Sequence, residues 1–173
     1  MAPAGFETRP TGDRMKEDLF NILGSCVRGA VFLDLFCGSG AIGIEALSRG
    51  ADLAVFVDDS REAVRAVETN LKKTGLWAGA ELLCLSALRA IENELSGRVY
   101  DLIFLDPPYE SGELLSALYN IDRAGLLANN GLLVAECPAG IELPDFSGLR
   151  FFRRKNYAQM QFAFYEKKGR GSE

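Results

Sequence analysis

No histidine occurs anywhere in the 173 residues of this chain. Ser-His and Cys-His nucleophile pairs are thereby excluded, as are most zinc sites, because each needs an imidazole as base or ligand. The four cysteines, Cys26, Cys37, Cys84 and Cys137, form no C-x-x-C pair. They are expected to be reduced and mostly buried, and no metal site is expected. No apolar run approaches the ~20 residues that would span a bilayer. The opening MAPAGFETRP also lacks a basic start followed by an apolar stretch, so a cytoplasmic protein is expected. Positive charge is in short supply, with a formal net charge of −5. Nucleic acid held by bulk electrostatics is disfavoured, since phosphate contacts need Lys or Arg. Local basic patches remain, at Arg150 with Arg153-Arg154-Lys155 and at Lys167-Lys168-Gly169-Arg170.

What is present is a regular alternation of apolar runs and amphipathic segments, with no repeat or long linker. The length suits one domain over 1–173, with flexible ends at 1–8 and 167–173. The spacing of Met15, Leu19, Phe20, Ile22 and Leu23 predicts a helix over 13–27, followed by a buried strand over 30–35. Further strands are predicted at 53–57, 81–85, 100–105 and 131–136, separated by helices at 41–48, 61–73, 88–95 and 113–121. Two last strands, 149–155 and 160–166, follow with no helix between them. Repeated βαβα order implies a doubly wound, Rossmann-like α/β domain, mainly parallel, closed at one edge by an antiparallel C-terminal pair.

The turn after the first strand reads Asp34-Leu35-Phe36-Cys37-Gly38-Ser39-Gly40-Ala41-Ile42-Gly43. Gly38 and Gly40 allow a tight turn and close backbone approach to a ligand, while Gly43 lets the next helix pack on the sheet. Such loops serve NAD, FAD and S-adenosylmethionine alike. Asp58, at the end of the second strand, can accept both hydroxyls of a ribose, which is compatible with any of them. Asp34 discriminates. A carboxylate four positions before Gly38 repels a pyrophosphate but suits a ligand bearing an ammonium and a sulfonium, which favours S-adenosylmethionine.

The fourth strand ends in Asp106-Pro107-Pro108-Tyr109, where consecutive prolines remove ladder donors. In an open α/β sheet this loop faces the glycine loop across the point where strand order reverses. An exocyclic amino nitrogen is a weak nucleophile because its lone pair is delocalised into the ring. The Asp106 carboxylate and a prolyl carbonyl can each accept one N–H and favour the pyramidal nitrogen. Pro108 fixes the turn, and Tyr109 can stack on a base for roughly 1–3 kcal/mol. The expected chemistry is methyl transfer to a planar amino nitrogen. Nothing in the tetrapeptide separates guanine N2 from adenine N6. A catalytically silent binding module is a further alternative, and an NAD-linked oxidoreductase would need an acid–base group that is not evident.

With these residues assembled, the chain resembles the RsmD family of bacterial 16S ribosomal RNA guanine-N2 methyltransferases over residues 9–166. The resemblance rests on Arg9-Pro10-Thr11-Gly12-Asp13-Arg14, on Glu17 with Leu19-Phe20-Asn21, on Asp34-Leu35-Phe36 with Gly38-Ser39-Gly40, and on Glu45 to Ala51. Phe104 to Tyr109 and Glu136 complete it. It implies S-adenosylmethionine as cofactor, S-adenosylhomocysteine as product, and ribosomal RNA within small-subunit particles as partner of a monomer. Cofactor contacts are implied at Thr11 and Arg14 over the methionine end, at Asp34, Phe36, Gly38, Gly40 and Asp58, and at Ser86-Ala87 after the third strand. The family carries an acid at that last place, and this chain does not. Members also begin with a basic hairpin before the Arg-Pro-Thr block. Eight residues precede Arg9 here; if that hairpin contributes to RNA grip, this chain is expected to grip less well or to be a shortened form.

Overall fold

In the computed structural model, residues 10–109 and 112–169 are described. Helix α1 (Pro10–Leu23) leads into a 3-10 turn (Gly24–Val27), then β1 (Val31–Leu35), α2 (Ala41–Ser48), β2 (Leu53–Asp58) and α3 (Arg61–Thr74). After a second 3-10 turn come β3 (Ala80–Cys84), α4 (Ala87–Glu92), β4 (Tyr100–Leu105) and α5 (Glu113–Ala124). The chain ends in β5 (Leu127–Pro138), β6 (Leu149–Asn156) and β7 (Met160–Lys167). All seven strands form one sheet in the order β3-β2-β1-β4-β5-β7-β6. Pairing is parallel from β3 to β5 and antiparallel where β7 meets β5 and β6. This is the doubly wound sheet with an antiparallel terminal pair that the alternation of segments predicted.

Strand alternation sorts the core into two layers. Leu33, Val55, Ile103, Leu133 and Tyr165 face α4 and α5, whereas Phe32, Phe56, Phe104, Val134 and Phe164 face α1, α2 and α3. Helix α3 shows why these segments fold where they do. Ser60 Oγ accepts from Ala63 N at 3.2 Å to cap its start, and Gly75 ends it in the left-handed region at φ 72°.

Among the boundaries that differ from expectation, three have a local cause. The first helix stops at Leu23 because Gly24 turns left-handed (φ 53°), and the rest of the expected span is the 3-10 turn. Helix α4 ends at Glu92, with Asn93 as its cap donating its backbone N–H to Arg89 O, although Leu95 still packs in the core. Strand β5 starts four residues early, at Leu127 rather than 131, because Leu127 already pairs with Tyr100 before the register shifts. Cys37 and Cys137 are buried free thiols as expected, but Cys26 and Cys84 are exposed. Among the described residues no helix is long and apolar enough to cross a membrane, and no cluster of metal-ligating side chains occurs.

Candidate active site

Sheet order reverses between β1 and β4, which neighbour each other while their successor helices lie on opposite faces. The register then places the acids. Asp34 pairs with Phe56 and Phe104, and Phe104 with Val134. Asp58, Asp106 and Glu136 each follow one of those partners by two positions, so all four acids share the sheet face that α1, α2 and α3 cover. Asp58, Asp106 and Glu136 form a row at the carboxyl edge, and Asp34 lies one step beneath it. A row of acids at the switch point calls for a cationic ligand.

Asp34 is buried, with 2% of its surface exposed. Its Oδ2 accepts from Gly43 N at 2.9 Å, so this strand residue caps α2, whose own cap position is Gly40 with no side chain to offer. Burial pushes its carboxyl up to about 8, opposed by the Gly43 bond and assisted by Asp106 and Asp58. Gly43 owes its place to close approach: a Cβ there would lie 2.4 Å from the Phe56 ring. Gly40 takes φ 77°, and its Cβ would meet Val67 at 3.0 Å. Phe36 is the one non-glycine residue with positive φ, 60°, among the described residues. Such backbone costs of order 1–3 kcal/mol and persists only where the surroundings impose it. Here Cys37 N donates to Val57 O at 3.1 Å and Asp106 N donates to Leu35 O at 3.3 Å, on either side of Phe36.

Asp58 holds the glycine loop: its Oδ2 accepts from Gly38 N and its Oδ1 from Ser60 N, both at 2.9 Å. Each carboxylate oxygen has a second lone pair, so the same group can still accept ribose hydroxyls. Asp59 is exposed beside it. Ser86 is the cap of α4, its Oγ accepting from Arg89 N at 3.5 Å, and Ala87 is buried in the core. Neither supplies the carboxylate that would bind an adenine amino group. The buried acid, the left-handed glycine turn and the acid at the end of β2 fit S-adenosylmethionine.

On the β4 side, Asp106 opens onto the cleft, yet desolvation and then the Glu136 carboxylate push its carboxyl up to about 7. Pro107 is buried, and Pro108 and Tyr109 are exposed. Tyr109 Oη donates to Glu136 Oε1 at 3.1 Å, joining the loop after β4 to the end of β5. Asp106, Pro107, Pro108, Tyr109 and Glu136 line a cavity of about 360 Å³. A neighbouring cavity of about 310 Å³ lies between Tyr109, Glu136, Leu115 and Ile141. Glu136 belongs to the site by position. Its signal in sequence was the acid ending the apolar run Leu132 to Ala135 on the strand beside β4.

Arg14 lies elsewhere on the same face of the sheet, in a groove with Asp18, Lys155 and Tyr157. Tyr157 Oη donates to Asp18 Oδ2 at 3.2 Å and thereby ties the turn between β6 and β7 to α1. Arg9 and the Thr11 side chain lie outside the described residues. In the basic stretch, Arg150 pairs with Glu166, and Arg154 with Glu142 at 3.2 Å. Arg153 stands 5.7 Å from the Phe164 ring centre. Lys167 Nζ donates to Leu127 O at 3.2 Å, and Lys168 forms an ion pair with Asp145 at 3.6 Å.

A sheet in this order, with a glycine loop and an Asp-Pro-Pro-Tyr loop facing each other at the switch point, defines an S-adenosylmethionine-dependent methyltransferase. The family model described as "Conserved hypothetical protein 95" matches residues 1–166, and the chain belongs to this family, that of RsmD. YlbH of Bacillus subtilis is 41% identical over 170 residues, 97% of this chain and 92% of its own. Ribosomal RNA small subunit methyltransferase D of Escherichia coli K12 is 32% identical, over 94% of this chain and 81% of its own. Among solved structures, yhhF from Escherichia coli superposes with a TM-score of 0.82 at 30% identity, covering 94% of this chain and 89% of that one.

Proposed function

We propose that this chain transfers a methyl group from S-adenosylmethionine to the exocyclic N2 of a guanine in small-subunit ribosomal RNA, in the cytoplasm and as a monomer. The observation that carries this reading is the row of acids at the switch point, continued by the Asp-Pro-Pro-Tyr loop. Kinship with a protein named for small-subunit rRNA methylation supports the choice of RNA.

The bound cofactor supplies an electrophilic methyl on a sulfonium. Asp34 balances its positive charge from beneath, Asp58 accepts its ribose hydroxyls, and the Gly38 to Gly40 turn admits its backbone-hugging portion. Phe36 adjoins that turn, with Ser86 and Ala87 alongside the adenine. A guanine extruded from its stack costs a few kcal/mol, and stacking on Tyr109 offsets part of that. Asp106 and the Pro107 carbonyl accept the two N2–H groups, and the nitrogen lone pair points at the methyl carbon. Transfer would form the carbon–nitrogen bond as the carbon–sulfur bond breaks and would leave the positive charge on the nitrogen. Asp106 then stabilises that charge and receives the proton. A carboxyl poised near 7 is matched to this task. No base is needed before transfer, so a chain without histidine loses nothing by it. Alignment of nitrogen and methyl supplies much of the rate.

Asp106→Ala tests the assignment. Calorimetry should give S-adenosylhomocysteine binding within about twofold of wild type, and methyl transfer should fall by roughly 10²–10³ or more. Transfer that persists in the variant contradicts the role given to Asp106.

A further inference from the structure

We infer that Glu136 is the residue that selects guanine, by accepting the N1–H of the base whose amino group Asp106 and Pro107 hold. This rests on the reading of the Asp106 loop as the methyl-transfer site and names what decides its base.

Leu105 and Ala135 are partners in the parallel pairing of β4 with β5. Asp106 follows Leu105, where β4 ends, and Glu136 follows Ala135 within β5, so the two lie beside each other at the carboxyl edge of the sheet. Strand alternation points both side chains to the same face. Both line the same cavity with Pro107, Pro108 and Tyr109. Two carboxylates side by side on one cavity wall match a ligand edge with adjacent N–H donors. Guanine has that edge, with N1–H next to the N2 amino group. Adenine does not: beside its N6 amino group lies N1, whose lone pair would face the Glu136 carboxylate and be repelled.

Tyr109 orients the selector. Its Oη donates to Glu136 Oε1 at 3.1 Å, which uses one of the roughly four acceptor positions of a carboxylate. The bond turns Glu136 toward the loop that carries Asp106 and links it to the ring that stacks on the base. Glu136 is only half-buried, so it can be ionised and still lie within a pocket that the base closes. The other acids on this face are committed elsewhere: Asp34 to Gly43 N, and Asp58 to Gly38 N and Ser60 N.

The test uses base identity without requiring the target nucleotide. Wild type and Glu136→Ala, both saturated with S-adenosylhomocysteine, are titrated calorimetrically with GMP, AMP and 2-aminopurine riboside 5′-monophosphate. The last keeps the 2-amino group and lacks N1–H. Wild type should bind GMP about tenfold to hundredfold more tightly than the other two, the discrimination expected of a well-placed pair of base-edge contacts. In Glu136→Ala, which removes the acceptor, that preference should shrink to about threefold or less, with S-adenosylhomocysteine affinity unchanged. A merely structural role would weaken all three ligands together and leave their ratio alone. Failure of wild type to bind GMP, equal binding of GMP and 2-aminopurine nucleotide, or full selectivity in the variant would each overturn the assignment. Failure of the wider reading is separately visible. A pocket that selects GMP in an enzyme that methylates no RNA guanine leaves Glu136 in place and removes the RNA substrate. N2-methylguanosine formed by a pocket without selectivity removes Glu136 alone.

Discussion

Asp34 does two things whose demands on its charge conflict. It caps α2 from the neighbouring strand through Gly43 N, and in the proposed mechanism it provides negative charge beneath the cofactor. Without a cation nearby, burial holds its carboxyl up at about 8 instead of the ordinary 3.8. Between those pH values the native state keeps a proton that the unfolded chain has released. Stability of the ligand-free protein therefore falls as pH rises from about 4 to 8. Asp34→Asn keeps an acceptor for Gly43 N and removes the charge. It should raise the melting temperature at pH 8 by a few degrees, at about 2–4 °C per kcal/mol for a domain of this size. The same change should weaken S-adenosylhomocysteine binding about tenfold or more, because a charged acceptor is lost. Melts at pH 5 and pH 8 with calorimetry on both proteins check this. A wild-type melting temperature that does not move with pH, or a variant that binds as before, counts against it.

At the scale of elements, the site depends on how closely α2 lies on the sheet. Gly43 is the contact point, and an added methyl would meet the Phe56 ring at 2.4 Å. Phe56 is fully buried between α2, α3 and the strands and cannot yield cheaply. Gly43→Ala should therefore destabilise the fold by about 1–3 kcal/mol, as overpacking does, despite the better helix propensity of alanine. Urea unfolding is the measurement, and an unchanged midpoint would mean that α2 can lift off without loss. The requirement for a small residue at Gly43 was legible from the spacing of the glycine loop. The cap supplied by Asp34 was not, since it joins a strand to a helix N-terminus through tertiary geometry. The early start of β5 was hidden for a similar reason: Ala128, Asn129 and Asn130 carry no strand-like alternation, and it is Leu127, paired with Tyr100 ahead of the register shift, that ties this stretch to β4.

Across the whole molecule, the seven strands and five α-helices of the described residues bring two loops 66 to 71 positions apart, Gly38 to Gly40 and Asp106 to Tyr109, to one edge of the sheet. Their meeting could be read from βαβα order and the rule that ligands bind where strand order reverses. The place of Glu136 could not, because it depends on register: one residue of slippage between β4 and β5 would turn it to the opposite face. The Ser86-Ala87 pair shows the converse. Its position after the third strand was plain, but only the structure reveals a helix cap and a buried methyl there. The most direct test of the central claim is tritiated methyl transfer from S-adenosylmethionine to small ribosomal subunits and to naked 16S rRNA, with the modified nucleoside identified by mass spectrometry. The account predicts label in N2-methylguanosine. Label in N6-methyladenosine, or no incorporation into either substrate, would contradict it.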